Sequence, residues 1–123
     1  MPPVDLRTIT SDFKVVLAEP ADGSPVMLPA AEVIKAGMLV AINASGQAIN
    51  WVSGPVVGFS LKNAPVGGMC TVIEWGIVEK VAGTALNLTT GANVFAATGG
   101  NYAATGTAIV GIALTPSKVR VRM

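Results

Sequence analysis

Residues 36–61 read AGMLVAINASGQAINWVSGPVVGFSL, and residues 90–114 read TGANVFAATGGNYAATGTAIVGIAL, one residue fewer. The two stretches align as copies of one pattern. Glycines mark equivalent places in them: Gly37, Gly46 and Gly58 in the first copy, and Gly91, Gly100 and Gly111 in the second. Turn glycines supply positive φ, and a strand glycine permits a bulge or close approach. Each copy therefore predicts strand, turn, strand, turn, strand, and we interpret the pair as a structural duplication.

The rest of the chain is also a series of short apolar segments broken by glycine, proline and threonine. In residues 118–122, KVRVR, basic side chains alternate with valines, which is the pattern of a strand with one buried face. A bend or reversal is expected at Gly76, where two apolar segments meet. One helix is expected at 29–36, with proline in its first turn. Strands are predicted at residues 13–18, 38–42, 48–52, 56–61, 69–75, 77–81, 93–96, 107–114 and 118–122.

These patterns predict an all-β protein: a small β-barrel or sandwich built from two related strand-turn-strand units, with an extended N-terminal arm. Residues 1–25 are expected to form the arm and the first strand. Residues 26–123 are expected to form a single β domain that contains the repeat. The arm begins with Pro2 and Pro3, and proline fixes φ and restricts the residue before it. A frayed terminus is the alternative interpretation of the arm.

Charge is scarce and unevenly placed. The chain has 123 residues, enough for one domain, and is 51% hydrophobic and 12% charged. Eight of the 15 charged residues lie in residues 1–35, and residues 36–61 and 81–117 contain none. Polar residues interrupt every apolar run, which argues against a transmembrane helix. The N-terminus does not resemble a secretory signal, so we expect cytosolic synthesis. A net charge of +1 argues against nucleic-acid and membrane partners.

The sequence offers little for catalysis. It contains no histidine, which removes the commonest general base and metal ligand. The neighbours of Cys70 predict a small buried hydrophobic residue rather than a reactive thiol. Glu74 and Glu79 could approach as a carboxylate pair, but solvated strand positions are the favoured interpretation. No glycine motif that cradles phosphate before a helix is present. We therefore expect no catalytic residue, cofactor, metal site or small-molecule substrate, and no enzyme.

The order of elements resembles a known family. The chain has a G-x-x-V strand and turn (37–40), a VVGFSL strand (56–61), a short connection (62–68) and a TVIEWGIVEKV strand pair (71–81). A second G-x-x-V unit (91–94), an IVGIAL strand (109–114) and a closing VRVR strand (119–122) follow. In this order, the chain resembles the head decoration, or capsid cement, proteins of tailed bacteriophages. The connection departs from the family pattern, since it lacks an acidic residue near Lys62.

The resemblance implies a structural protein that binds the outer surface of a phage head and stabilises the shell. It implies the major capsid protein as partner, assembly as a homotrimer, and location on the virion after synthesis in the bacterial host cytoplasm. We expect the N-terminal arm to reach the capsid or a neighbouring subunit through Pro2, Pro3, Val4, Asp5, Leu6 and Arg7. The alternative is a phage tail or fibre module that binds a ligand on the host surface.

Overall fold

The structure, a computed structural model, describes residues 11–19 and 26–122. These residues form antiparallel strands and no helix, so the prediction of an all-β protein is confirmed for them. The strands are β1 (Phe13–Glu19), β2 (Val26–Pro29), β3 (Leu39–Ile42), β4 (Ala48–Asn50), β5 (Gly58–Ser60), β6 (Met69–Ile73), β7 (Trp75–Lys80), β8 (Asn93–Ala97), β9 (Asn101–Ala103), β10 (Ile109–Thr115) and β11 (Lys118–Arg122).

The strands make two sheets, neither of which closes into a barrel. Sheet A has the order β1-β7-β11-β10-β8-β9, and sheet B has the order β2-β6-β5-β3-β4. Within the described ranges, no helix is long and apolar enough to cross a membrane. The strand β2 was not predicted from the sequence, and β9 was expected only as the middle strand of the second repeat copy, without a range of its own.

The two copies of the repeat have the same internal arrangement. In the first, β3 pairs with both β4 and β5; in the second, β8 pairs with both β9 and β10. The register matches as well, because Val40 lies opposite Gly58 and Val94 lies opposite Gly111. The Gly37 amide donates to the Ser60 carbonyl at 2.7 Å, and the Gly91 amide donates to the Ala113 carbonyl at 2.7 Å. One matching three-stranded unit therefore lies in each sheet.

The central strands β3 and β5 of sheet B are buried on both faces, apart from the exposed Ile42. Alternate residues of β3 enter two cores: Leu39 joins the core shared with sheet A, and Val40 joins a second core on the other face. Residues 30–36 and 62–68 contribute to this second core, and the amides of Ile34 and Ala64 each donate to the other's carbonyl, at 3.0 and 2.8 Å. This two-sided burial explains why β3 and β5, within residues 36–61, carry no charge.

The expected helix at 29–36 is wrong. Pro29 ends β2, and Ala30 forms a parallel bridge with Ala48. Ile34 then forms an antiparallel bridge with Ala64, 30 residues along the chain. The amide and carbonyl of Ile34 both hydrogen-bond to Ala64, so neither is available for a helical turn. Because Ile34 is fully buried, its burial in the second core prevails over the weak helix signals of this segment.

The chain passes from sheet B to sheet A without reversing. β6 ends at Ile73 and β7 begins at Trp75, so the change of sheet falls at Glu74 rather than at the predicted Gly76. Gly76 lies within β7, where a Cβ atom would overlap the Leu17 carbonyl oxygen and lie 2.7 Å from Cζ of Phe59. Glycine is therefore required at this position for close approach between a strand and an aromatic ring.

Two aromatic rings join the edges of sheet A to sheet B. The rings of Phe13 on β1 and Tyr102 on β9 have centroids 5.0 Å apart. The Tyr102 hydroxyl donates to the Gly37 carbonyl at 2.6 Å, just before β3. A Cβ atom at Gly37 would lie 2.6 Å from Cβ of Phe13. These three residues, here called the Gly37 junction, fix the first repeat unit against both edges of sheet A.

Candidate functional site: the outer face of sheet A

The outer face of sheet A is the side of β1, β7, β11 and β10 turned away from the shared core. On β11, Val119 and Val121 are buried while Arg120 and Arg122 are exposed, which confirms the alternation predicted from the sequence. The register brings four outward residues into one row across the sheet: Leu17, Ile77, Arg120 and Ile112. These residues come from strands far apart in the chain, so the row exists only in the folded protein.

This outer face is rich in apolar side chains. Leu17 is 39% exposed, Ile112 is 48% exposed, and Ile77 between them is half-buried. Trp75, on the next outward row, is 39% exposed. Single exposed apolar residues are ordinary on a protein surface, but contiguous ones that include an aromatic ring mark interaction sites. The outer face of sheet A therefore has the character of an interface.

The same face carries an excess of positive charge. Its outward residues include four basic and two acidic side chains, a net charge of +2: Lys14, Lys118, Arg120 and Arg122, with Glu19 and Glu79. The Arg122 guanidinium carbon lies 5.5 Å from the centroid of the Trp75 ring. No carboxylate of the described residues lies within 4.0 Å of the Arg120 or Arg122 guanidinium. The two arginines therefore lack an internal counter-ion in this part of the chain.

A small cavity lies between the two arginines. It has a volume of about 130 Å³ and is lined by Glu19, Trp75, Arg120, Val121 and Arg122. Among the described residues, two positive charges and one negative charge surround it, beside an indole ring. We call it the arginine cavity. Its lining combines the hydrogen-bond donors of the two arginines with the apolar surface of Trp75 and Val121. Such a lining suits a negatively charged group that a partner carries within an apolar surface.

A larger groove lies at the other end of β7. Its volume is about 520 Å³, and its walls include Asp12, Lys80, residues 83–86 and residues 101–104. Lys80 is already engaged, since its Nζ atom lies 3.7 Å from Oδ2 of Asp12 and 4.7 Å from the Phe13 ring centroid. The Asp12 carbonyl accepts from the Val81 and Ala82 amides at 2.8 and 3.2 Å. The charged side chains of this groove therefore hold β1 against the end of β7.

Cys70 is buried in β6, as its neighbours in the sequence predicted. Its Sγ atom lies 3.5 Å from the Ser60 hydroxyl, which donates to the Lys62 carbonyl at 2.5 Å. Burial raises the pKa of the Cys70 thiol, and the contact with Ser60 offsets only part of that rise. The thiol therefore stays protonated at neutral pH, and packing is the role this geometry supports.

The described residues contain no group of three or more His, Cys, Asp or Glu side chains placed to hold a metal ion. Glu79 faces outward on β7, opposite Lys14 and Lys118, whereas Glu74 lies at the change of sheet. Glu79 thus has solvent and basic neighbours, consistent with a solvated strand position.

The structure describes the six glycines named from the sequence but not the six residues of the N-terminal arm. Pro2, Pro3, Val4, Asp5, Leu6 and Arg7 lie outside the described residues. The six glycines occupy turns and strands: Gly37, Gly46, Gly91 and Gly100 have positive φ, whereas Gly58 and Gly111 lie in β5 and β10. Sequence reasoning did not find the outer-face row, although the alternation in β11 was its visible signal. No protein-family model matches the chain, and no curated protein matches it significantly.

Proposed function

We propose that the protein is a structural decoration, or cement, protein of a tailed-bacteriophage head. It binds the major capsid protein on the outer surface of the shell, assembles as a homotrimer, and stabilises the shell by contact rather than by catalysis. In this proposal the two sheets pack as a sandwich. An extended N-terminal arm adds contacts to the shell or to a neighbouring subunit.

The observation that carries this proposal is the outer face of sheet A. Leu17, Ile77 and Ile112 present apolar surface in one row, and Trp75 and the arginines border it. Tryptophan and arginine are the residues that most often dominate binding energy at protein interfaces. A structural protein that covers this face with a partner also needs fewer charges than a free monomer, in keeping with the charged fraction of 12%. The choice of a phage head as the partner is supported by the resemblance, in the order of sequence elements, to head decoration proteins.

The test is cosedimentation of the full chain with purified expanded phage heads that lack decoration protein. The informative variant is Leu17→Asp, which places a charge at the β1 end of the apolar row, opposite Ile77. We expect its affinity for heads to fall by at least about tenfold, because no basic residue lies opposite position 17 and a carboxylate would be buried there without a counter-ion. Leu17 is 39% exposed, so the variant is expected to fold.

The matched control is Val66→Asp, since Val66 is 61% exposed and belongs to the connection beside sheet B. It should bind heads as the unchanged protein does. Failure of the unchanged protein to bind heads would contradict the proposal. Binding to host cells instead would favour the tail or fibre module.

A further inference from the structure

We infer that the arginine cavity is a binding site for a carboxylate side chain of the partner protein, presented within an apolar patch. This inference rests on the proposed function for the identity of the partner, which is the head protein. It adds a recognition site and a chemical requirement: the contacting surface of the shell must offer an Asp or Glu to Arg120 and Arg122.

The arginines are arranged for such a contact. Arg120 lies between Ile77 and Ile112 in the outward row, so a partner that covers these isoleucines also covers Arg120. The Arg122 guanidinium carbon lies 5.5 Å from the centroid of the Trp75 ring, and a guanidinium over an aromatic ring can still donate N–H groups to a carboxylate. Both side chains line one cavity of about 130 Å³. A single carboxylate placed there can accept hydrogen bonds from both.

Burying these arginines requires a counter-ion. A guanidinium removed from water without a compensating charge is strongly destabilising. Glu19 supplies one negative charge to the cavity lining, but it makes no ion pair with either arginine within 4.0 Å. The charges of the described lining residues therefore sum to +1, which leaves one positive charge unbalanced among them. One carboxylate from the partner balances it, and the arginine fork matches carboxylate geometry.

The charge pattern selects among partners. A second copy of the chain would bring another face of net charge +2 against this one, so face-to-face self-association is opposed by repulsion. A nucleic-acid backbone carries closely spaced phosphates, and Glu19 and Glu79 on the same face would repel them. An apolar protein surface with one or a few carboxylates satisfies both the row of isoleucines and the arginines.

Three charge reversals test the inference: Arg120→Glu, Arg122→Glu and the matched control Lys118→Glu. All three lie on the outward side of β11 and change the net charge equally, but Lys118 does not line the cavity. We expect head affinity to fall by about 30-fold or more for each arginine variant and by less than about threefold for Lys118→Glu. Arg120→Lys keeps the positive charge but loses the paired N–H groups of the guanidinium, so we expect a loss of head affinity between those of Lys118→Glu and Arg120→Glu.

The outcomes separate the two proposals. If the unchanged protein does not bind heads, the proposed function fails, and this inference fails with it. If the unchanged protein binds but the arginine variants lose no more affinity than Lys118→Glu, only the inference is overturned. A change of oligomeric state in isolated Arg120→Glu, measured by light scattering, would show that a second copy covers this face and would also overturn it. Thermal unfolding of each variant establishes that it is folded.

Discussion

At the residue scale, the glycines of the two repeat units serve a packing purpose inside the strands. Neither Gly58 nor Gly111 has positive φ. A Cβ atom at Gly58 would overlap the Ile73 carbonyl oxygen, and one at Gly111 would overlap the Arg120 carbonyl oxygen. In each unit, the backbone of the next strand occupies the place of the missing side chain. The equivalence of the two glycines in the aligned sequence is thus matched by equivalent surroundings.

This close approach predicts a large cost for Gly58→Val and Gly111→Val. Each should lower the free energy of unfolding by about 3 kcal/mol or more, because a backbone oxygen cannot move aside as a flexible side chain can. Gly46→Ala is the control: nothing lies within 4 Å of its Cβ position, and only its positive φ opposes the change, at about 1 kcal/mol. Urea unfolding provides the comparison, and equal losses in all three variants would contradict the packing argument.

Tyr102 gives the Gly37 junction a dependence on pH. Its hydroxyl is buried and donates to the Gly37 carbonyl, and burial raises the pKa of Tyr102 well above its ordinary value of 10.0. Ionisation therefore favours the unfolded chain. The stability supplied by neutral Tyr102 is complete below pH 10 and is lost as the pH rises toward the pKa of the folded protein.

Tyr102→Phe tests this effect. At pH 7 the variant should be less stable by about 1 to 3 kcal/mol, because the buried Gly37 carbonyl loses its partner. Above pH 10 the difference between the two proteins should shrink. Chemical unfolding at several pH values measures it, and phenolate absorbance reports Tyr102 alone, since the chain has one tyrosine. A difference that stays constant up to pH 11 would contradict the prediction.

At the element scale, β1 is anchored at its own start. The Ser11 hydroxyl donates to the Ala36 carbonyl at 2.5 Å, and the Asp12 carbonyl accepts from Val81 and Ala82. From Phe13 onward, β1 pairs with β7 along its whole length, apart from a register shift between Val15 and Leu17. All of these contacts are made between described residues from Ser11 onward, and they hold β1 in the sheet.

Deleting residues 2–10 should therefore leave the β-type circular dichroism spectrum and the unfolding temperature nearly unchanged. If the arm contacts the shell, the same deletion should weaken binding to heads by about tenfold or more. A protein with residues 2–10 in scrambled order keeps the length and the charge, and it tests whether their order matters. Unchanged binding after the deletion would favour the frayed-terminus interpretation of the arm.

The same scale shows where element prediction from the sequence worked and where it did not. Nine of the 11 strands in the described residues were predicted with their ranges, because each contains apolar residues bounded by turn residues. The strand β2 was missed because it is short and ends in a proline. The strand β9 was expected only from the repeat pattern, because NYA by itself carries little strand signal beyond its tyrosine. Both become strands through pairing, with β6 and β8 respectively, and local sequence does not encode that partner.

At the scale of the whole molecule, burial accounts for part of the uneven charge distribution. The central strands β3 and β5 of sheet B have a core on each face, so most of their residues have no contact with solvent. Residues 81–117 also lack charge, but they include β8, β9 and β10 of sheet A, so two-sided burial does not account for them. Sheet A has one core and one exposed face, and four basic residues of the described chain lie on that exposed face. The proposed attachment to a phage head uses this exposed face of sheet A.

The sequence by itself determined the all-β class, the presence of two related three-strand units and the inward or outward direction of the β11 side chains. These properties follow from local chemistry: glycine and proline place the turns, and a strand alternates its side chains with a period of two. Tertiary structure alone decided that residues 29–36 form no helix, that the chain changes sheet at Glu74, and that Leu17, Ile77, Arg120 and Ile112 share a row. Pairing between distant strands creates these features, and no single segment carries the information on which partner it will meet.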